Sequence, residues 1–258
     1  MSFIISLQTE LFKTKRTSAF WICVIGAAFI PTVYLLLFLL NPKETIQDMG
    51  PRPWAVFINR AWQIFCVFVL PISIILLTTL VTQIEFRNNT WKQVFASPQP
   101  VGNIFFSKYL TVHIMILSCF VMFNVLIVLV GVIADLTNPG FAFLEHRIDW
   151  QMILKLNLKV YIAILAISAI QYWLSLRFKN FAASIGIGLA LEIGSIIAFA
   201  SQWKHIDKYP YSFAVLSLDS TQTAGRPLLE NHELNSFGYL AGFTLLAFID
   251  LRMRKAKG

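Results

Sequence analysis

His113, His146, His205 and His232 are the histidines of the chain, and with Ser118, Ser184 and Ser195 they are the groups from which a hydrolytic site would have to be assembled. No such assembly follows. A membrane serine protease needs a Gly-x-Ser-Gly type nucleophile answered by a histidine, and none of these serines has that setting. Zinc hydrolysis needs clustered ligands, whereas the sequence contains neither His-Glu-x-x-His nor paired Cys-x-x-Cys. His146, His205 and His232 are scattered among loop-like stretches and are expected to be solvated. Cys23, Cys66 and Cys119 all fall in apolar runs, where cysteine is a small packing residue. No Gly-x-x-x-x-Gly-Lys-Ser/Thr loop exists to cradle phosphates, so the sequence is not that of an ATPase.

Two other groups carry more information. Glu192, in GLALEIGSII, is an acid near the middle of an apolar run. A charge there costs about 2.5–3.5 kcal/mol on insertion scales, so its side chain is expected to face protein or water. It reads either as a proton or substrate contact in a pathway or as a carboxyl group bonded to a neighbouring helix, with Asn124 a conceivable partner. The second group is the polar, basic segment from Glu85 to Pro98, EFRNNTWKQVFASP, between two apolar runs. Pro98 and Pro100 stop a helix that begins near Ile84. Glu85, Arg87, Asn88, Asn89, Lys92 and Gln93 suit an exposed surface, and Phe86, Trp91, Val94 and Phe95 supply apolar knobs. Such a helix fits a groove on a soluble partner, or else it rests its aromatics among lipid headgroups.

The elements that must position these residues belong to a bilayer. Hydrophobic residues make up 57% and charged residues 13%, with mean hydropathy +0.68, against about 25% charged in a soluble domain. Six runs are predicted to span the membrane, at 19–40, 61–82, 107–131, 154–176, 181–201 and 236–251. Spans of this length must be helices, because lipid offers no partner to an unpaired backbone group. With the N-terminus inside, the inner side carries twelve Lys and Arg against three acids, while the outer side balances nine against nine. The positive-inside rule therefore predicts cytoplasmic termini, and the placement of the charge argues against nucleic acid as a partner. The basic cluster Lys13, Lys15, Arg16 before the first run, with no small-residue cleavage site after it, reads as an uncleaved start.

Within 1–18, Phe3, Ile4, Leu7, Leu11 and Phe12 form the stripe of an amphipathic interfacial helix. Residues 41–60, with three prolines and a glycine, are expected to be mostly irregular. Residues 202–235 form a long outer loop, part of which is expected to pack on the outer mouth. In the fifth run Ala182, Gly186, Ala190, Gly194 and Ala198 recur every four residues, which permits close helix approach either to a second copy or within the chain. The expected fold is a single all-α membrane domain over 1–258, with an N-terminal interfacial helix and a cytoplasmic segment at 83–104.

At Glu85, Thr90 and Pro98, in Glu-x-x-x-x-Thr-x-x-x-apolar-x-x-x-Pro followed by Phe106-Ser107-Lys108, the sequence resembles the permease subunits of ABC-2 type transporters, particularly the bacitracin-resistance and lantibiotic-immunity permeases. The resemblance extends to Glu10-Leu11 and Lys13, the basic turn Arg177-Phe178-Lys179-Asn180 and the basic tail. It implies a coupling helix in the first inner loop, with Glu85, Phe86, Arg87, Thr90, Trp91, Val94 and Pro98 meeting the ATPase. It further implies two copies of an ATP-binding subunit that carry ATP and Mg, and no cofactor in this chain. A second permease, identical or related, would pair through the first and fifth spans, in a bacterial cytoplasmic membrane. An exporter of amphipathic peptide antibiotics is the expected role. A membrane scaffold for a soluble partner and a proton-coupled transporter using Glu192 are the alternatives.

Overall fold

The computed structural model describes residues 3–15, 17–88, 90–96, 99–222, 227 and 229–255. Among them there is no strand, and six helices are long and apolar enough to cross a membrane: Ser18–Leu40, Pro53–Phe86, Val101–Thr137, Trp150–Arg177, Phe181–Ala200 and Asn231–Met253. They correspond one to one with the six expected runs, but several are longer.

The interfacial helix α1 (Phe3–Thr14) leads into the first span, α2 (Ser18–Leu40). Helix α1 buries Ser6, Glu10 and Thr14, one per turn, and leaves Ile4, Ile5 and Phe12 exposed. Its polar stripe therefore faces the protein and its apolar stripe faces outward, the arrangement expected where the surrounding solvent is lipid.

The connection after α2 departs from expectation. Residues expected to be irregular form α3 (Pro42–Met49) and α4 (Pro53–Ile64). Two of the three prolines that suggested a loop, Pro42 and Pro53, sit in the first turn of these helices, where a missing N–H costs no hydrogen bond, and Pro51 lies in the turn between them. Helix α4 continues through a π-helical turn, Phe65–Val69, into α5 (Leu70–Arg87), so the second span starts well before residue 61. Pro71 follows that turn, and the widened backbone accommodates the ring that would clash in a regular helix.

A short helix α6 (Trp91–Ala96) precedes the third span, α7 (Val101–Thr137), which begins directly after Pro100. The fourth span, α8 (Trp150–Arg177), is capped by Asp149, whose side chain accepts from the Met152 amide at 3.0 Å. Asn180 caps the fifth, α9 (Phe181–Ala200), in the same way. Helix α10 (Phe213–Gln222) lies in the long loop before the sixth span, α11 (Asn231–Lys255). Helix α8 is the centre of the bundle and packs on α5, α9, α10 and α11.

At the end of the bundle opposite α1, Trp54 is fixed by its indole N–H donating to the Phe143 carbonyl at 2.7 Å, and Asp135 accepts from the Phe143 and Leu144 amides. Gly131 is the floor beneath that indole: a methyl group there would lie 2.5 Å from the Trp54 ring. Gly131→Ala is expected to cost about 1–3 kcal/mol through overpacking, visible as a lowered thermal midpoint in detergent. An unchanged midpoint would show that Trp54 is not held where it stands.

Candidate coupling site

The last turn of α5 brings Glu85 to the end of the bundle where α1 and the start of α7 also lie. Lys108, two turns into α7, donates to Glu85 Oε1 and to Glu10 Oε2, both at 2.6 Å. Lys13 completes the group, at 2.7 Å from Glu10 Oε1 and 3.1 Å from Glu85 Oε1. Two carboxylates and two ammonium groups thus close a ring across three helices. Glu85 and Lys108 are each only 1% exposed. This corrects the expectation that Glu85 is displayed to the outside. The carboxylate turns inward because a buried ammonium is within reach, and neither charge could be buried without the other.

The ring contains the groups that hold α1. Burial by itself pushes the Glu10 carboxyl up, but the Lys108 and Lys13 ammonium groups beside it reverse this and hold it below its ordinary value of 4.5. Burial lowers Lys13, yet the carboxylates of Glu10 and Glu85 outweigh it and raise the ammonium above 10.5. The lowered Glu10 stabilises docking above the ordinary carboxylate value, and this contribution is lost as pH falls through its folded value. The raised Lys13 contributes below 10.5 and is lost as pH rises through its own folded value. Protection of the α1 amides from hydrogen exchange, corrected for intrinsic rates, is therefore expected to be level across neutral pH and to fall at both ends, while protection in α8 is retained. Level protection in α1 down to pH 3 would exclude an ionic latch.

Beyond Glu85 the chain breaks. A single helix from near Ile84 to Pro98 is not formed. The span runs to Arg87, the chain turns at Asn88, the Thr90 amide donates to the Glu85 carbonyl at 3.0 Å, and α6 starts at Trp91. Thr90 accepts from the Val94 amide, so its carbonyl begins the new helix. Phe86, Thr90, Trp91 and Val94 are half-buried, whereas Asn88, Gln93 and Ala96 are exposed. The Trp91 ring lies 5.3 Å from that of Phe86 and packs on the cluster of Phe105, Tyr172, Leu176, Ala247 and Leu251. Trp91 is thus a foot planted on the bundle, where the sequence suggested a knob aimed at a partner. Pro98 and the side chain of Arg87 lie outside the described residues.

The other candidates lie elsewhere in the membrane domain. Glu192 is 4% exposed, and its Oε2 has no hydrogen-bond partner among the described residues. Asn124 is not its partner: it bonds Asn157 across α7 and α8 at 2.9 Å. Tyr209, from the loop between the fifth and sixth spans, donates its hydroxyl to the Leu191 carbonyl at 2.7 Å, next to Glu192 in the chain. The buried face of α9 consists of Ser184, Gly188, Glu192 and Ser195. The small-residue ladder is on a different face, with Ala182, Gly186 and Ala190 exposed and Gly194 and Ala198 half-buried. Nothing lies within 4 Å of a methyl group placed on Gly186, whereas one on Gly194 would lie 2.9 Å from the Tyr209 hydroxyl, so within the chain the ladder's close-approach geometry is used at Gly194 and not at Gly186.

Several functional-looking groups escaped the sequence reading. Thr79, Ser175, Ser184 and Gln171 form a buried hydrogen-bonded seam joining the second, fourth and fifth spans. Such residues carry no periodic signal until the helices are assembled. Lys159 pairs with Glu233 at 3.4 Å, and His232, expected to be solvated, is 4% exposed and bonds Ser217 at 3.0 Å. Packing of α10 onto α8 and α11 removes it from water. Lys108 itself had a readable signal, a lysine opening a long apolar helix, but its carboxylate partners are 23 and 98 residues away in sequence.

Comparison with known families gives one match: the family model described as ABC-2 family transporter protein covers residues 6–195. No curated protein and no solved structure matches the chain. The matched region begins within α1, and it includes the ion ring, the segment from Glu85 to Pro98 and Glu192.

Proposed function

Since the chain belongs to the ABC-2 family of transporter proteins, we propose that it is the permease subunit of an ATP-driven exporter, worked through the segment from Glu85 to Pro98. A multi-pass membrane domain of this family transports, and family permeases act with ATP-binding subunits. The observation that carries the more specific reading is the ion ring. It ties the last turn of the second span to the third span and to α1. Helix α6 is joined to that same turn by the Thr90 amide on the Glu85 carbonyl and by the Trp91–Phe86 contact, so that in this reading a push on α6 reaches three helices. A device that converts nucleotide binding into helix movement needs such a rigid junction between a docking surface and the spans.

In this reading two ATP-binding subunits supply ATP and Mg and dock on the face of α6 that displays Gln93 and Ala96. Both termini are cytoplasmic, in accord with the concentration of Lys and Arg at the end of the bundle that holds α1, α6 and the α8–α9 turn. A second permease, identical or related, covers the ladder from Ala182 to Ala198, whose exposed part at Ala182, Gly186 and Ala190 is open to a partner helix. An amphipathic substrate, with peptide antibiotics in a bacterial cytoplasmic membrane as the favoured class, suits a domain that joins an apolar exterior to a buried polar seam.

The test is to purify the chain with its native neighbours. An ATPase that co-purifies, and whose hydrolysis depends on this chain, supports the reading, while a stable assembly without nucleotide hydrolysis counts against it. Glu192→Gln separates pathway from packing within the same complex, because glutamine keeps the shape and removes the titratable charge. Transport is expected to lose its pH dependence in this variant, and an unchanged pH profile would exclude proton or substrate contact at Glu192.

A further inference from the structure

Where α1 crosses the first and third spans it roofs a cavity of about 590 Å³, within the size range of small-molecule sites. The floor is formed by Val24 of α2 and by Met115, Ser118 and Met122 of α7, all within membrane-spanning helices. From Ile114 to Met122 the wall runs along α7 for about 12 Å, deeper into the bilayer than Lys108. Phe20 and Ser118 are exposed, so the cavity is open toward lipid. Its α1 end is polar, with Gln8 and Lys15 on the rim.

The rim carries a positive charge that is unpaired among the described residues. Lys15 is exposed, and no described carboxylate pairs with it; its ammonium lies 6.0 Å from the Phe12 ring. Glu10, the acid of the same helix, is already engaged by Lys13 and Lys108. A lysine ammonium and an amide at the interface above an apolar slot match a molecule with an anionic head and a flexible apolar tail. We propose that this cavity binds an anionic phospholipid of the cytoplasmic leaflet, with its phosphate against Lys15 and one acyl chain along Val24, Met115, Ser118 and Met122.

The leaflet rests on the orientation proposed above, but the binding does not depend on transport. The lipid fills the space beneath α1 and so supports the helix whose other face is held by the ion ring.

The experiment uses the full chain in phosphatidylcholine nanodiscs carrying a trace of phosphatidylglycerol or phosphatidylcholine with a photoreactive acyl chain. The phosphatidylglycerol probe is expected to label peptides that contain Val24 and Met115–Met122, and unlabelled phosphatidylglycerol, not phosphatidylcholine, should compete. Lys15→Glu, at an exposed position, is expected to reduce labelling at least fivefold, whereas Lys179→Glu, an equal charge change on an exposed turn, should leave it intact. Ser118→Trp should reduce labelling by filling the slot without altering charge. Equal labelling by both probes, or labelling indifferent to both Lys15→Glu and Ser118→Trp, would overturn the proposal. So would displacement of the probe by an amphipathic peptide with no competition from phosphatidylglycerol. No ATPase or nucleotide is present, so failure here is distinct from failure of the permease reading, which co-purification tests.

Discussion

Lys108→Met is expected to cost about 3–5 kcal/mol and to release α1 from the bundle. The lysine is 1% exposed and bridges Glu10 and Glu85, so its loss leaves two buried carboxylates with only Lys13 between them. Breaking a buried pair by removing one partner is this costly because the remaining charge keeps its desolvation penalty without its attraction. The measurement is the fraction of monodisperse protein surviving a heating series in detergent, together with hydrogen exchange in α1. The triple variant Lys108→Met, Glu10→Gln, Glu85→Gln removes the stranded charges, and is expected to recover most of the lost stability. Its transport then distinguishes two roles. If the ring serves only to hold the fold, transport returns with stability; if it transmits the movement of α6, ATP hydrolysis and transport remain uncoupled. A single Lys108→Met variant as stable as the parent would exclude the ring as a structural element.

Trp91→Ala is expected to weaken association with the ATP-binding subunit about 30-fold or more, equivalent to about 2 kcal/mol or more, because it releases the whole of α6. The route differs from the one sequence suggests. Trp91 rests on Phe86 and on the cluster around Phe105 and Tyr172, so its removal frees α6 instead of deleting a contact with the partner. Gln93→Ala, on the exposed face of α6, provides the comparison. Positioning through Trp91 predicts that association falls far more for Trp91→Ala than for Gln93→Ala, with the thermal midpoint of the spans nearly unchanged in both. A Trp91→Ala protein that assembles and transports at the parental level would remove α6 from the coupling path.

Much of the architecture is legible from hydropathy. Six apolar runs, the α1 stripe and the polar break after the second span are local properties, written within one or two helical turns, and lipid forces such runs into helices whatever surrounds them. Prolines were the main source of error in the fold. Their effect depends on whether they fall inside a helix or in its first turn, and Pro42 and Pro53 occupy the benign position. The polar segment between the second and third spans was legible by its composition, but the direction of its side chains was not. Glu85 and Trp91 look like surface residues beside Arg87, Asn88 and Lys92, and both face inward.

Sequence by itself determined that this chain lives in a membrane, how many times it crosses and where its polar interruption lies, because each follows from the cost of placing a given residue in hydrocarbon. Tertiary structure alone decided which charges are neutralised and which remain available. Glu10 and Glu85 are balanced by Lys13 and Lys108 because folding brings residues up to 98 positions apart within 2.6 Å, while Lys15, a few residues from Glu10, has no carboxylate partner among the described residues. Electrostatic pairing in a low-dielectric interior depends on distance in space, and composition records only which charges exist.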